Sequence, residues 1–299
     1  MEEGTRPRRI GPTSGSASSR TPPDSDRDPL EAVFADQDDA STLRMHFHNR
    51  DEIILIERGA SRYAIEGRKY AASAGTLVVI SRLERHEVQI LERPYVRRFL
   101  LVDSDFYLAS VHDPLLAALF RNRPAGYRHA VPLGPEAYER VRDAFDRLRL
   151  ERMRHDRHRL QVMSAMLGIL AVEMHRACPE IFSATSPRRG EDWIAGIQSM
   201  IEARFRDGSL DRKTLAEAAY CSEDHLSREF RKATGYTVLQ YAQRLRLAHA
   251  KDLLARTALP IAQVGRDSGF GDTNHFIRTF RETTGLTPLQ FRKKAAAKG

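Results

Sequence analysis

Two constellations in this 299-residue sequence could do chemistry. In the first, His46 and His48 flank a single phenylalanine, Glu52 follows after three intervening residues, and His86 stands eleven residues beyond Gly75. On paired strands, positions of like parity point to one side, so His46, His48, Glu52 and His86 could converge inside a small β-structure. Three imidazoles and a carboxylate suit Fe(II), Mn(II), Ni(II) or Zn(II). The same four groups could instead line a ligand pocket, or serve as hydrogen-bonded structural residues. In the second constellation, Asp224, Arg228 and Arg231 fall at i, i+4 and i+7, and Asn274, Arg278 and Arg281 repeat that spacing. Arg can take a guanine edge through two hydrogen bonds, and Asn can do the same with adenine, so either trio on an exposed helix face could read DNA.

The two trios belong to a duplication. "HLSREFRKATGYTVLQY" begins at His225 and "HFIRTFRETTGLTPLQF" at His275, a shift of 50 residues. Two copies are too few for a stacked solenoid, which needs at least three. Each copy predicts a helix, a tight turn and a second helix. Ser222 and Asp272 are the expected N-caps of the second helices. Leu226 and Phe230, and Phe276 and Phe280, face a core at helical spacing. Gly235 and Gly285 stand where helices end in left-handed geometry. Thr237 with Gln240, and Thr287 with Gln290, form capping boxes for the helices that follow. A helix, a turn and an Arg-bearing second helix is the helix-turn-helix arrangement. Between the copies, "TVLQYAQRLRLAHAKDLLARTA" predicts one long helix with Leu239, Ala242, Leu245, Ala248 and Leu253 as its buried stripe. About 20 residues make about 30 Å, close to the ~34 Å between successive major-groove faces on one side of B-DNA. A rigid rod of that length could set two reading helices in neighbouring grooves.

The elements around these sites divide the chain into an α+β multidomain protein. Residues 1–40, rich in Gly, Pro, Ser and charge, read as a disordered tail. Over 41–105, short apolar runs such as "IILI" and "LVVI" alternate with turn signals at Gly59, Gly67 and Gly75, as in a small antiparallel β-barrel. Over 106–185 the period becomes helical, with Tyr138, Val141, Phe145 and Leu148 on one stripe and Leu160, Met163, Leu167, Leu170 and Met174 on another. Such apolar helices pack on their own barrel, pair two chains as a homodimer, or do both. "SPRRGE" (186–191) reads as a linker, and 190–296 as the DNA-binding domain. A net charge of +8 favours a polyanionic partner, though a solvated basic surface explains it as well. Cys178 and Cys221 are far apart with no CxxC, which argues against a disulfide framework or a zinc ribbon. No leader and no membrane-length apolar run is read, so the expected location is cytoplasmic, on the nucleoid, with no membrane partner.

Residues 192–294 resemble the DNA-binding domain of the AraC/XylS family of bacterial transcription regulators. The resemblance rests on "LAEAAYCSEDHLSREFRKATG", "RLRLAHAKDLL" and "GFGDTNHFIRTFRETTGLTPLQFR". It implies a seven-helix unit with recognition helices at about 222–234 and 272–284, and no catalytic residues. By motif position, Asp224, Ser227 and Arg228 would face bases and phosphates in the first, and Thr273, Asn274, Ile277 and Arg278 in the second. Arg231 and Arg281 join them as phosphate contacts on the face argument. Tyr220 departs from the pattern, since family members often carry Gly in that turn. "HFHNRDEIILIERG" and "GTLVVISRLERH" resemble the cupin-like sensor domain of many such regulators, although Ser81, Leu83 and Ile90 depart from the cupin enzyme motif. The resemblance implies a small-molecule effector held in the barrel and double-stranded DNA, with RNA polymerase, as partners. No cofactor is expected. Two alternatives stand beside this reading: a metal-dependent cupin enzyme fused to a DNA-binding domain, and a ligand-independent regulator whose barrel is a scaffold.

Overall fold

The computed structural model describes residues 29–36, 42–120, 127–183, 192–207 and 210–296. Seven strands form one antiparallel sheet: β1 (Leu30–Asp36), β2 (Thr42–His46), β3 (Asp51–Ile65), β4 (Arg68–Ser73), β5 (Thr76–Ile80), β6 (His86–Val102) and β7 (Ala130–Pro132). The order is β1-β6-β3-β5-β7, with β2 added to β6 and β4 to β3. The sheet curls without closing, so the barrel expected over 41–105 is corrected to an open sheet. Two long strands cause the curl: β6 pairs with β1, β2 and β3 along its length, and β3 with β4, β5 and β6.

The expected strand break at Gly59 is also absent. Gly59 lies inside β3 at φ +76, where a Cβ would come within 2.5 Å of the Glu92 carbonyl and 2.6 Å of that of Pro94. It marks a run of register shifts between β3 and β6, a bulge and not a turn. Gly67 and Gly75 do end strands. At the other boundary, the tail expected over 1–40 is corrected at Leu30–Asp36, which pairs with β6 in full register. Leu30 is buried beneath it. The rest of that tail, and the expected linker at 186–191, lie outside the described residues. β7 adds a strand from beyond residue 105.

"IILI" and "LVVI" are buried on both faces, which is why they run continuously apolar. Ile53, Leu55, Leu77 and Val79 face the helices, while Ile54, Ile56, Val78 and Ile80 face the concave interior with Tyr63 and Tyr95. Covering the first face are α1 (Ser104–Ser110), α2 (Pro114–Ala117), α3 (Pro135–Arg152), α4 (Arg159–Ala177) and α5 (Glu180–Ser183). Val141, Phe145 and Leu148 of α3 meet Met163, Leu167, Leu170 and Met174 of α4. Leu160, expected in that stripe, is 43% exposed at the open end of α4.

The rest is helical: α6 (Asp192–Arg204), α7 (Arg212–Ala218), α8 (Glu223–Thr234), α9 (Val238–Arg256), α10 (Ile261–Asp267), α11 (Thr273–Thr284) and α12 (Pro288–Ala296). A second core joins them through Leu226, Phe230, Leu245, Leu254, Phe276 and Phe280. On α9, Leu239 is 58% exposed and not part of the stripe; Val238 and Tyr241 take the buried places in that first turn. Among the described residues, no helix is long and apolar enough to cross a membrane.

Candidate DNA-reading helices and ligand site

Each second helix of the duplication is built by its caps. Ser222 accepts from the His225 amide at 3.2 Å, and Asp272 from that of His275 at 2.6 Å. Gly235 and Gly285 close the two helices at φ +78 and +73, each donating its amide back to an arginine carbonyl, Arg231 or Arg281. With Leu226 and Phe230, or Phe276 and Phe280, fixed in the core, the opposite face must point to water. Asp224, Arg228, Arg231, Asn274, Arg278 and Arg281 lie on that outer side, with Ser227, Thr273 and Ile277 beside them. Arg228 lies 3.0 Å from His225 Nδ1 and 3.1 Å from Glu229 Oε1. The hydrogen bond from Arg228 holds the Glu229 carboxyl below its ordinary range. The duplicated histidines serve packing: His225 stacks on Trp193 at 5.8 Å, and His275 meets Phe270 edge-on. Glu223 lies 3.7 Å from Arg212 in the first turn of α8. Tyr220, in the turn between α7 and α8, holds φ +52 with its side chain 98% exposed.

The other constellation sits at one end of the sheet. β2 pairs with β6 so that His46 lies opposite His86. The rings of His46 and His86 are 4.1 Å apart, those of His48 and His86 5.1 Å, and those of His46 and His48 5.9 Å. One nitrogen from each of the three falls within 4.8 Å of the others. Glu52, from the start of β3, places its Oε2 3.4 Å from His48 Nε2 and 3.5 Å from His86 Nε2. His48 Nδ1 donates to the Arg50 carbonyl and His86 Nδ1 to the Glu84 carbonyl, both at 2.9 Å. Those bonds fix the tautomers and leave both Nε2 atoms turned to one carboxylate. Such an approach is favourable only with a proton or a cation between nitrogen and oxygen. Burial, and then the neighbouring His46 imidazole, push His86 down to about 3. Burial alone would raise Glu52, but the bond from His48 and the positive charges around it hold the carboxyl at about 2. The three imidazoles therefore fit a first-row divalent ion, with His46, His48 and His86 to hold it and the Glu52 carboxylate beside two of them.

Sequence reasoning missed Arg97, Tyr95, Ser61 and His129 behind this site. Arg97 is buried on β6 beside Glu52, and Tyr63 and Tyr95 share a hydrogen bond at 3.0 Å, with Ser61 donating to Tyr95. His129 bridges Glu84 at 3.1 Å and the Tyr70 hydroxyl at 3.0 Å. Their parity along the strands is visible in the sequence; their convergence is not.

Residues 215–294 match the family model described as a helix-turn-helix domain, and residues 29–170 match the AraC-like ligand binding domain. The chain belongs to the AraC family of transcriptional regulators. Among its relatives, the HTH-type transcriptional activator RhaR of Pectobacterium carotovorum subsp. carotovorum (strain PC1) is 24% identical over 249 residues, covering 81% of this chain and 83% of its own. RhaR of Escherichia coli (strain K12) is 25% identical over 250 residues, covering 83% and 86%. In fold, ToxT from Vibrio cholerae superposes with a TM-score of 0.59 at 12% identity, over 89% of this chain and 98% of that one. The chain is thus a DNA-binding regulator in which an AraC-like ligand-binding domain precedes a pair of helix-turn-helix motifs.

Proposed function

We propose that α8 and α11 are the reading helices of one monomer and enter successive major-groove faces of a duplex. The observation that carries this is the pair of arginine-bearing outer faces joined by α9, whose 19 residues make a rod of about 28 Å. Asp224, Ser227, Arg228, Thr273, Asn274, Ile277 and Arg278 then face base edges, with Arg231 and Arg281 on phosphate. Selection of duplexes from a random pool by the full chain, followed by footprinting, tests it. The expected footprint holds two short protected half-sites about one helical turn apart. A single half-site per monomer, or protection without sequence preference, overturns the assignment.

The ligand-binding domain takes its effector at His46, His48, Glu52 and His86, and binds without turning it over. Two imidazole nitrogens aimed at one carboxylate favour a divalent metal ion there, alone or as the anchor of a small chelating metabolite. An untagged chain purified without chelator should carry about one equivalent of metal, and His48→Ala should lose most of it. Metal absent from the first, or unchanged in the second, refutes the metal reading. The outer side of α4, where Leu160 and Ile169 are exposed, is the surface on which two chains would pair. Bound at a promoter in the cytoplasm, the dimer would act on RNA polymerase.

A further inference from the structure

The residue between the two site histidines leaves the sheet. Phe47 is 3% exposed, and its ring lies in the core of the helical unit, not in that of the sheet. Lys251 of α9 holds it twice. Its Nζ sits 3.6 Å from the ring centroid and donates to the Phe47 carbonyl at 2.9 Å. The loop between β5 and β6 does the same. Leu83 is fully buried in the helical core, at φ +66, a conformation that residues other than glycine rarely hold. Its carbonyl accepts from Arg244 of α9, while its amide donates to the His48 carbonyl at 2.9 Å. The adjoining Arg82 pairs with Glu202 and donates to Tyr241 at 2.9 Å. The next residue, Glu84, gives its carbonyl to His86. Two of the segments that carry the imidazoles therefore each place one apolar side chain in the DNA-binding unit, and a backbone hydrogen bond ties those segments together.

We infer that His46–His48 and the loop Arg82–Glu84 form the transmission element of this regulator: what binds at the imidazoles changes the seating of Phe47 and Leu83 against α9, and with it DNA affinity. This rests on the reading of the histidine cluster as the ligand site. Because α9 spaces the two reading helices, a small shift of its grip changes how well both can engage one duplex. The coupling must be reciprocal: DNA tightens or weakens binding at the histidines by the same factor that the ligand changes DNA binding.

The test uses the full untagged chain, Zn²⁺ alone as the probe, and a duplex selected by the wild type. Metal affinity is read by competition with a chromophoric chelator, and DNA affinity by anisotropy with and without Zn²⁺. In the wild type, Zn²⁺ should change DNA affinity by about 5–150-fold, and the duplex should change Zn²⁺ affinity equally. Phe47→Ala should bind Zn²⁺ within about threefold of the wild type, yet its DNA affinity should respond to Zn²⁺ by less than about twofold. Phe47→Leu, and Lys251→Gln at the same joint, should fall between and cover the case in which Phe47→Ala misfolds. If Phe47→Ala keeps the wild-type factor, the coupling runs elsewhere and the inference is overturned. If the wild type binds Zn²⁺ with no change in DNA affinity, the ligand site stands and the transmission element does not. If the wild type binds no Zn²⁺, the metal reading of the site falls and the inference falls with it.

Discussion

Replacing Arg278 by alanine is the sharpest probe of how the chain reads DNA. Its guanidinium lies on the outer side of α11 and makes no ion pair among the described residues. It would reach a base edge without giving up an ion pair. A bidentate arginine–guanine contact discriminates by about 1–3 kcal/mol, so Arg278→Ala should weaken binding to a selected duplex by about 5–150-fold at 25 °C. Arg228 occupies the matching place on α8 but is already engaged by Glu229 and His225. It must release both to reach a base. Arg228→Ala should therefore cost less than Arg278→Ala, and Glu229→Gln should tighten binding in the wild type while doing nothing in Arg228→Ala. Salt separates reading from positioning. Loss of a base contact leaves the slope of log K against log [salt] unchanged, whereas Arg231→Ala and Arg281→Ala, as phosphate contacts, should each reduce it by about 0.9. Anisotropy titrations at four salt concentrations, on the selected duplex and a scrambled one, supply every value. If Arg278→Ala and Arg228→Ala both bind the selected duplex within twofold of the wild type, or lose affinity equally on the scrambled duplex, these faces do not read sequence.

The duplication supplies an internal control on stability, since Tyr220 and Gly269 hold equivalent turn positions at φ +52 and +85. At Gly269 a Cβ would lie 2.7 Å from Arg206 Cα and 2.9 Å from the Phe205 carbonyl, backbone atoms that cannot give way, so Gly269→Ala should cost about 3 kcal/mol or more. Tyr220→Gly relieves a left-handed tyrosine, worth about 1–2 kcal/mol, against about 0.5–1 kcal/mol of added chain entropy, and should be neutral to slightly stabilising; urea unfolding followed by Trp193 fluorescence compares them, and equal destabilisation would contradict the strain argument. In metal-free protein, His86 titrates near 3 when folded against about 6.5 unfolded, so the unfolded chain binds the extra proton between those values and stability falls as pH drops through that window, by about 1.4 kcal/mol per unit. Urea midpoints at pH 7.5 and 5.0 should therefore separate by more in the wild type than in His86→Gln, and equal separations would place the titration elsewhere. Burial, with the Glu180 charge adding to it, pushes the Cys178 thiol up to about 12, and its Sγ donates to the Met174 carbonyl; a thiol reagent at pH 8 should titrate one cysteine in the native chain and two in urea, and two at once in the native chain would refute that burial.

The helical half was legible because its signals are local. Caps, paired core residues four apart and C-terminal glycines all lie within a dozen residues of one another, and a duplication states each of them twice. The error there, Leu239, came from extending a correct stripe by one turn into the end of α9 that faces water. The sheet was harder for a physical reason. Gly59 reads as a turn signal, and only the carbonyls of Glu92 and Pro94, more than thirty residues away, reveal that it admits a close backbone approach inside a continuous strand. "IILI" and "LVVI" announce strands covered on both sides without saying by what. β1 was lost in a polar neighbourhood whose composition outweighed "LEAVFA". At the candidate site, parity brought His46, His48 and Glu52 to one side, but Arg97 beside Glu52 and His129 beside Glu84 are products of tertiary register. Phe47 stands at the parity opposite to the histidines, and that alone does not say that the DNA-binding unit covers it.

That covering makes the two halves of the duplication unequal. Polar contacts from the sheet reach the helical unit at Glu202, Tyr236, Tyr241, Arg244 and Lys251: Tyr236 donates to Glu66 just beyond the cap of α8, Arg244 donates to both Glu66 and Leu83, and the rest lie on α6 and α9. These residues lie on α6, just past the end of the first reader, and on the spacer. The second reader, α10 and α11, packs on α9. A pull on Phe47 or Leu83 would therefore reach α8 through its neighbours and α11 through the rod. Two readers fixed to one stiff helix gain affinity together only when their spacing and orientation match the groove, since the second engagement is intramolecular once the first has formed. A device that grips one end of the rod need not touch the DNA face at all to govern both readers, and on the proposed coupling this arrangement would let a site buried among sheet strands control a surface made wholly of helices.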